Sequence, residues 1–154
     1  MRLKNDIFDH AVNVLCVLIL IGIVVYLAVS WNSLPDQVPG LIGLDGEVTR
    51  WDGKGTLILM PIIAWVTFAG VTILEQFPKA WNTGVRVTEE NMFRVYRAVK
   101  SLIRSTKLLI LAFFAAMTIM QSQLQTLPIW LMFVFIGLLM IAGLFHGVRI
   151  LRAR

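Results

Sequence analysis

Residues 108–148 read LLILAFFAAMTIMQSQLQTLPIWLMFVFIGLLMIAGLFHGV and contain no aspartate, glutamate, lysine or arginine. A helix needs about 20 apolar residues to cross roughly 30 Å of hydrocarbon, so these 41 residues are enough for two crossings. The polar stretch at 121–126, followed by Pro128, is the expected turn. The sequence therefore predicts membrane-spanning helices at about 106–124 and 127–148, with Lys107 snorkelling from the first of them toward water.

Two more uncharged runs lie closer to the N-terminus, at residues 11–29 and 56–74, and each has 19 residues. The first run is longer than the apolar part of a secretory signal, and no A-x-A cleavage site follows it, so we expect a retained helix. Pro61 falls in the first turns of the second run, where a proline is tolerated. Since 58% of the residues are hydrophobic and 15% are charged, we expect one all-α membrane domain over residues 1–154, a bundle of four spanning helices.

The connection at residues 31–55 is rich in glycine and proline, and Asp45-Gly46 is a typical hairpin turn between short apolar stretches. We therefore predict an ordered loop there, with a short hairpin. Four carboxylates lie in this loop, but their spacing does not match a calcium-binding loop, so we expect solvated acids rather than a metal site. They are Asp36, Asp45, Glu47 and Asp52.

The connection at residues 75–107 is basic. Thr88 is typical of a helix N-cap with acids in the first turn, and apolar residues recur at helical spacing after it. The basic residues occupy a neighbouring arc, so the pattern predicts an amphipathic helix over 88–107 that lies on an anionic lipid surface. Its basic face, which a partner or phosphates could also meet, consists of Arg94, Arg97, Lys100, Arg104 and Lys107.

Twelve of the 14 lysine and arginine residues fall on one side of the predicted bundle, and two, Arg50 and Lys54, fall in the loop 31–55. Such a bias predicts cytoplasmic termini, a cytoplasmic amphipathic helix and an extracytoplasmic loop. The same distribution beside apolar runs points to the lipid bilayer as the partner of the basic residues and argues against nucleic acid.

The four apolar runs contain no charged residue, which argues against a proton-coupled transporter because such proteins keep intramembrane charges for use. There is no Ser/His/Asp set, phosphate loop or Cys/His metal pattern, so we expect neither an enzyme nor a cofactor. His146, between Gly143 and Gly147, is expected to hydrogen-bond between closely packed helices.

The loop reads Leu34-Pro35-Asp36-Gln37-Val38-Pro39, then Asp45-Gly46-Glu47, Arg50-Trp51 and Gly53-Lys54. This motif resembles the SdpI-like membrane proteins, a family catalogued as domain of unknown function 1648. The family pattern has Leu-Pro-Asp and a second proline, a glycine turn, and a Trp-Gly-x-Lys stretch before a helix. One departure is Leu41-Ile42, where the family has His-Phe. The matching positions used here as the candidate outer-loop motif are Leu34, Pro35, Asp36, Pro39, Asp45, Gly46, Arg50, Trp51 and Lys54.

The resemblance implies a small four-helix member in a bacterial cytoplasmic membrane, of immunity or signalling type. In such a protein the outer loop would meet an extracytoplasmic peptide, and the inner side would meet a cytoplasmic partner. The alternative is an accessory subunit of a transporter or envelope complex, which would bind another membrane protein. A membrane enzyme ranks last because no catalytic set is present.

Overall fold

The computed structural model describes residues 7–43, 45–125 and 129–153, and this part of the chain folds into four long helices with a small hairpin. The helices are α1 (Ile7–Ser30), α2 (Leu59–Leu74), α3 (Met92–Ser122) and α4 (Ile129–Arg152). A 3-10 turn at Lys54–Ile58 leads directly into α2. Each span is long and apolar enough to cross a membrane, which confirms the prediction of four such helices.

Helix α1 extends four residues before the predicted start, and α4 extends four beyond the predicted end, because helical geometry does not stop where charged residues begin. Pro61 lies at the third position of α2, where its missing amide has no helical partner to lose. The predicted start of the fourth helix at 127, with Pro128, lies outside the described residues.

Helix α3 corrects the prediction for the basic segment. The amphipathic helix at 88–107 and the spanning helix at 106–124 are one continuous helix of 31 residues. No glycine or proline lies between its ends to break it. The predicted N-cap Thr88 instead precedes the helix: its Oγ1 accepts from the amide of Asn91 (3.4 Å), while Asn91 Oδ1 accepts from the amide of Thr88 (2.8 Å). This reciprocal pair closes the turn before Met92.

The helices alternate in direction, and α3 is central because it contacts the other three. The end of α1 is joined to the end of α3 by a 2.7 Å hydrogen bond between Tyr26 and Ser122. We call this the hairpin end, because β1 (Gln37–Ile42) and β2 (Val48–Gly53) follow α1 there. The opposite end holds the beginnings of α1 and α3 and the ends of α2 and α4, and we call it the basic end.

The interior has three apolar clusters stacked along α3. One at the hairpin end packs Ile23 and Leu27 against the loop, one in the middle is centred on Leu111, and one at the basic end joins Val99 to Ile150 of α4. Between the middle cluster and the basic end, the face of α3 that points inward carries charged residues instead.

Candidate functional site

The hairpin predicted at Asp45-Gly46 is present. Strands β1 and β2 pair antiparallel, with Val38 opposite Asp52. Gly46 adopts a φ of +83°, which favours glycine, and Asp45 Oδ1 accepts a hydrogen bond from the amide of Glu47 (3.1 Å). The pairing register shifts between Pro39 and Leu41, so β1 carries an irregularity at the residue between them.

The hairpin is fastened to the bundle by buried apolar side chains. Leu34, Val38 and Leu57 all lie in the cluster at the hairpin end, together with Ile23 and Leu27 of α1. The amide of Lys54 also donates to the carbonyl of Asp36 (2.9 Å), which closes the base of the loop. The loop is therefore an ordered cap on the bundle.

Four charged residues of the cap form two ion pairs at its surface. Lys54 Nζ lies 3.1 Å from Asp36, whose side chain is 93% exposed, and Arg50 donates to Asp52 (2.9 Å). The ammonium of Lys54 also lies over the ring of Trp31 at 5.8 Å. Within the described ranges, no three His, Cys, Asp or Glu side chains come together as a group that could hold a metal ion.

The apolar residues of the outer-loop motif and the neighbouring Leu41 form a buried group and an exposed group. Leu34 and Pro39 are buried, and Pro35 is half-buried, so these residues build the cap. Leu41 and Trp51 are 55% and 50% exposed, so the cap presents two large apolar side chains to the surroundings.

The predicted basic face of α3 does not form one surface. Arg94 and Arg97 are exposed, but Lys100, Arg104 and Lys107 are buried in the bundle, and the side chain of Lys107 is fully enclosed. The expectation of a solvated or lipid-surface face is wrong for these three residues. They lie at positions i, i+4 and i+7 of one helix, and such positions share a face that here points inward.

Two carboxylates pair with these three cations. Glu75, at the end of α2, accepts from Arg104 Nε (3.1 Å) and from Lys107 Nζ (2.6 Å). Asp9, in the first turn of α1, pairs with Arg104 and lies 3.4 Å from Lys100 Nζ. Arg104 thus bridges the two acids, and we call these five residues the ionic layer.

Lys107 also has neutral partners on the other helices. Its ammonium donates to Asn13 Oδ1 of α1 (2.8 Å) and to Thr72 Oγ1 of α2 (3.2 Å), and it lies 5.1 Å from the ring of Phe68. Side chains of a helix tilt toward its N-terminus, so Lys107 reaches back along α3 toward Glu75. It does not snorkel to water, as the sequence suggested, because partners inside the bundle satisfy it.

The length of α3 gives an expected position of the ionic layer relative to the hydrocarbon. If the hydrocarbon begins at Ser122, about 20 residues of α3 cross its roughly 30 Å, so its other edge falls near residue 102. Lys107 then lies about 7 Å inside that edge, and Arg104 about 3 Å inside.

The sequence argument against a proton-coupled transporter assumed that the spanning helices contain no charged residue. The ionic layer shows that this assumption does not hold for α3. The uncharged runs of the sequence end before the charged residues, but the helices do not. Chemically the layer is an assembly of paired ions, which suits holding the helices in register. Sequence reasoning missed Asp9, Asn13, Thr72 and Glu75, and the spacing 100, 104 and 107 was the signal that one face of α3 needed acidic partners.

Helix α4 joins the bundle through α3. Ser105 Oγ and His146 Nε2 lie 3.1 Å apart, so His146 makes an interhelical hydrogen bond, as predicted. The rings of Phe113 and Phe135 stack between the same helices with centroids 4.2 Å apart. The role of His146 is therefore packing of α4 against α3.

Comparison with known proteins gives one match. A family model described as Domain of unknown function (DUF1648) matches residues 18–64, which comprise most of α1, the hairpin and the beginning of α2. The match confirms the domain inferred from the loop motif, and it covers the cap but not the ionic layer. Searches of curated proteins and of solved structures found no match.

Proposed function

We propose that this protein is a non-catalytic membrane protein of receptor type, whose cap binds an extracytoplasmic peptide. The observation that carries the proposal is an ordered two-stranded cap that is anchored by a buried base and presents Leu41 and Trp51 at its surface. Following the resemblance to SdpI-like proteins, the peptide would be a secreted toxin and the outcome immunity or signalling.

A two-stranded sheet favours the binding of an extended peptide along a strand edge, because each strand has only one neighbouring strand. Among the described residues β1 pairs with β2 alone, so each strand keeps an outer edge. An extended peptide can add to such an edge through backbone hydrogen bonds, while exposed apolar side chains select its residues. Leu41 lies on β1 and Trp51 on β2, so a peptide at either edge passes close to one of them.

The proposed orientation places the cap outside a bacterial cytoplasmic membrane and both termini in the cytoplasm. Its support is the excess of lysine and arginine at the basic end. Cys16, the single cysteine, is fully buried, so new cysteines can be labelled selectively. Thr49→Cys is expected to react with an impermeant maleimide in intact cells, and Arg94→Cys only after permeabilisation. The reverse pattern would contradict the orientation.

Photocrosslinking in living cells tests the binding proposal. A photoreactive residue replaces Leu41 or Trp51, and the adducts are identified by mass spectrometry. Val66, an exposed apolar residue of α2, is the matched control because it lies within a spanning helix rather than on the cap. A peptide adduct from both cap positions, absent from position 66, is the expected result.

Two other outcomes would overturn the receptor reading. An adduct between the cap and a larger membrane protein would favour the accessory-subunit hypothesis. If the cap crosslinks only within this chain, it is a structural lid. Where a toxin peptide is captured, Trp51→Ala should abolish protection against it at an unchanged protein level, and full protection would exclude the immunity role.

A further inference from the structure

We infer that the peptide bound by the cap is cationic and extended, and that it adds to the outer edge of β2 rather than to that of β1. The assignment rests on the proposed function and specifies, for the same site, the strand and the chemical class of the peptide. The two strands differ in burial, in the direction of their backbone groups and in nearby charge.

Strand β1 offers little free edge. Val38 and Pro39 are almost fully buried, and β1 packs against α3 and against the 3-10 turn at Lys54–Ile58. Pro39 also has no N–H to donate, and the register shift that follows it interrupts the ladder. Proline and such irregularities are typical of strand edges that do not accept another strand.

Strand β2 is open by comparison. Thr49, Arg50 and Trp51 are exposed, and within the described part of the chain β2 pairs with β1 alone. Strand β2 contains no proline, so each of its residues keeps a backbone N–H. The edge that suits another strand is therefore that of β2.

The backbone of Trp51 points toward this outer edge. Hydrogen-bonded and non-hydrogen-bonded residue pairs alternate along an antiparallel ladder. The amide of Lys54 donates to the carbonyl of Asp36 (2.9 Å), and the pairing stays in step from there to Pro39 opposite Trp51. Trp51 thus belongs to a non-hydrogen-bonded pair, so its N–H and C=O point away from β1. These are the groups that an added strand would bond.

The charge of the cap selects a cationic peptide. The two ion pairs at its surface use two of its four carboxylates. The other two, Asp45 and Glu47, are exposed at the turn, and neither forms an ion pair with another described residue. Glu47 precedes Trp51 by about 13 Å of extended strand. A peptide with an apolar side chain beside Trp51 and a lysine or arginine about four residues away would match both features of the edge.

Residue-resolved hydrogen exchange of the full chain in an uncharged detergent tests the assignment. The probes are synthetic peptides of about ten residues that alternate leucine and threonine and carry a pair of lysines or a pair of glutamates at one end. A lysine peptide with N-methylated backbone amides tests the backbone hydrogen bonds.

The test variant is Asp45→Asn/Glu47→Gln, in which asparagine keeps the side-chain oxygen that accepts from the amide of residue 47. The control variant, Glu89→Gln/Glu90→Gln, removes the same charge from exposed acids at the basic end. Thermal unfolding checks that both variants are folded.

At a concentration about ten times its dissociation constant, the lysine peptide should slow exchange of the Trp51 amide on the order of tenfold, and more than that of any amide of β1. The N-methylated peptide should protect this amide far less, because it lacks the donors that pair with the strand edge. The test variant should bind the lysine peptide roughly threefold or more weakly, and the control should bind it almost unchanged.

Equal protection by the lysine and glutamate peptides, or equal losses in the test and control variants, would overturn the choice of a cationic peptide. Stronger protection on β1, or no protection by the lysine peptide, would overturn the assignment to β2. The proposed function fails separately: an acidic peptide crosslinked to the cap in living cells would keep the receptor role and exclude the cationic class, whereas the absence of any peptide adduct would exclude both.

Discussion

Replacing Glu75 with glutamine should destabilise the bundle strongly, because Glu75 is one of the two carboxylates that the described residues bring to the ionic layer. The layer sets Asp9 and Glu75 against three cations, and Glu75 accepts from both Arg104 (3.1 Å) and Lys107 (2.6 Å). After Glu75→Gln, Asp9 alone of these two carboxylates faces the three buried cations. Glutamine keeps the side-chain volume, so the loss measures charge rather than packing.

The size of the effect follows from burial. Arg104 and Lys107 are 2% and 0% exposed, so neither can turn to water when Glu75 loses its charge. Removing one partner of a buried ion pair costs about 3–5 kcal/mol. Lys107→Met should cost less, on the order of 1–2 kcal/mol, because it leaves two carboxylates facing two cations and Glu75 keeps Arg104.

Thermal unfolding of the purified protein in mild detergent measures both variants. At about 2–4 °C per kcal/mol for a chain of this size, Glu75→Gln should lower the midpoint by roughly 10 °C. Asp36→Asn is the matched control, because its partner Lys54 is at the surface, and exposed pairs contribute only about 0–1 kcal/mol. A Glu75→Gln protein as stable as the Asp36→Asn protein, or more stable than Lys107→Met, would refute the reasoning.

Two further predictions concern the hairpin end. A Cβ at Gly40 would overlap the carboxylate of Asp52, so Gly40→Ala should cost about 1–3 kcal/mol and speed hydrogen exchange in the hairpin. Gly55→Ala is the control, since a Cβ there meets nothing within 4 Å; equal exchange in both variants would contradict the crowding argument. Tyr26→Phe removes the 2.7 Å bond to Ser122 and should cost about 0.6 kcal/mol in thermal unfolding, the average for such bonds between membrane helices. A loss above about 2 kcal/mol would mean that this bond has a larger role than that average.

The sequence predicts those parts of the fold that depend on residues adjacent in the chain. Four crossings follow from apolar length, and the hairpin follows from Asp45-Gly46, because both depend on neighbouring residues alone. The continuity of α3 was missed because hydropathy changes sharply at residue 107, whereas a helix needs only backbone geometry and has no reason to end there. The uncharged runs predict that a crossing ends at its first charged residue, whereas a buried partner allows such a residue to lie inside the crossing.

The candidate site also has a part that local sequence predicts and a part that it does not. The cap residues are close in sequence and could be identified as a set. The ionic layer joins residue 9 to residue 75 and to three positions of α3, and no local pattern specifies which acid meets which base. The face shared by residues 100, 104 and 107 was readable, but whether it points to lipid headgroups or to carboxylates depends on helix packing.

Packing within lipid explains why such a layer is useful. Hydrocarbon is as apolar as a leucine side chain, so burial of apolar surface gives little preference for one arrangement of helices over another. Paired charges do discriminate, because a slide of α3 by one turn would separate Arg104 from both acids and leave buried ions without partners. Asp9 and Glu75 therefore fix the axial positions of α1 and α2 relative to α3. The position of the cap depends on that of α1, because Leu34 and Val38 pack on α1. A change of charge in the layer should thus be detectable at the cap, as altered hydrogen exchange of β1 in Glu75→Gln but not in Asp36→Asn.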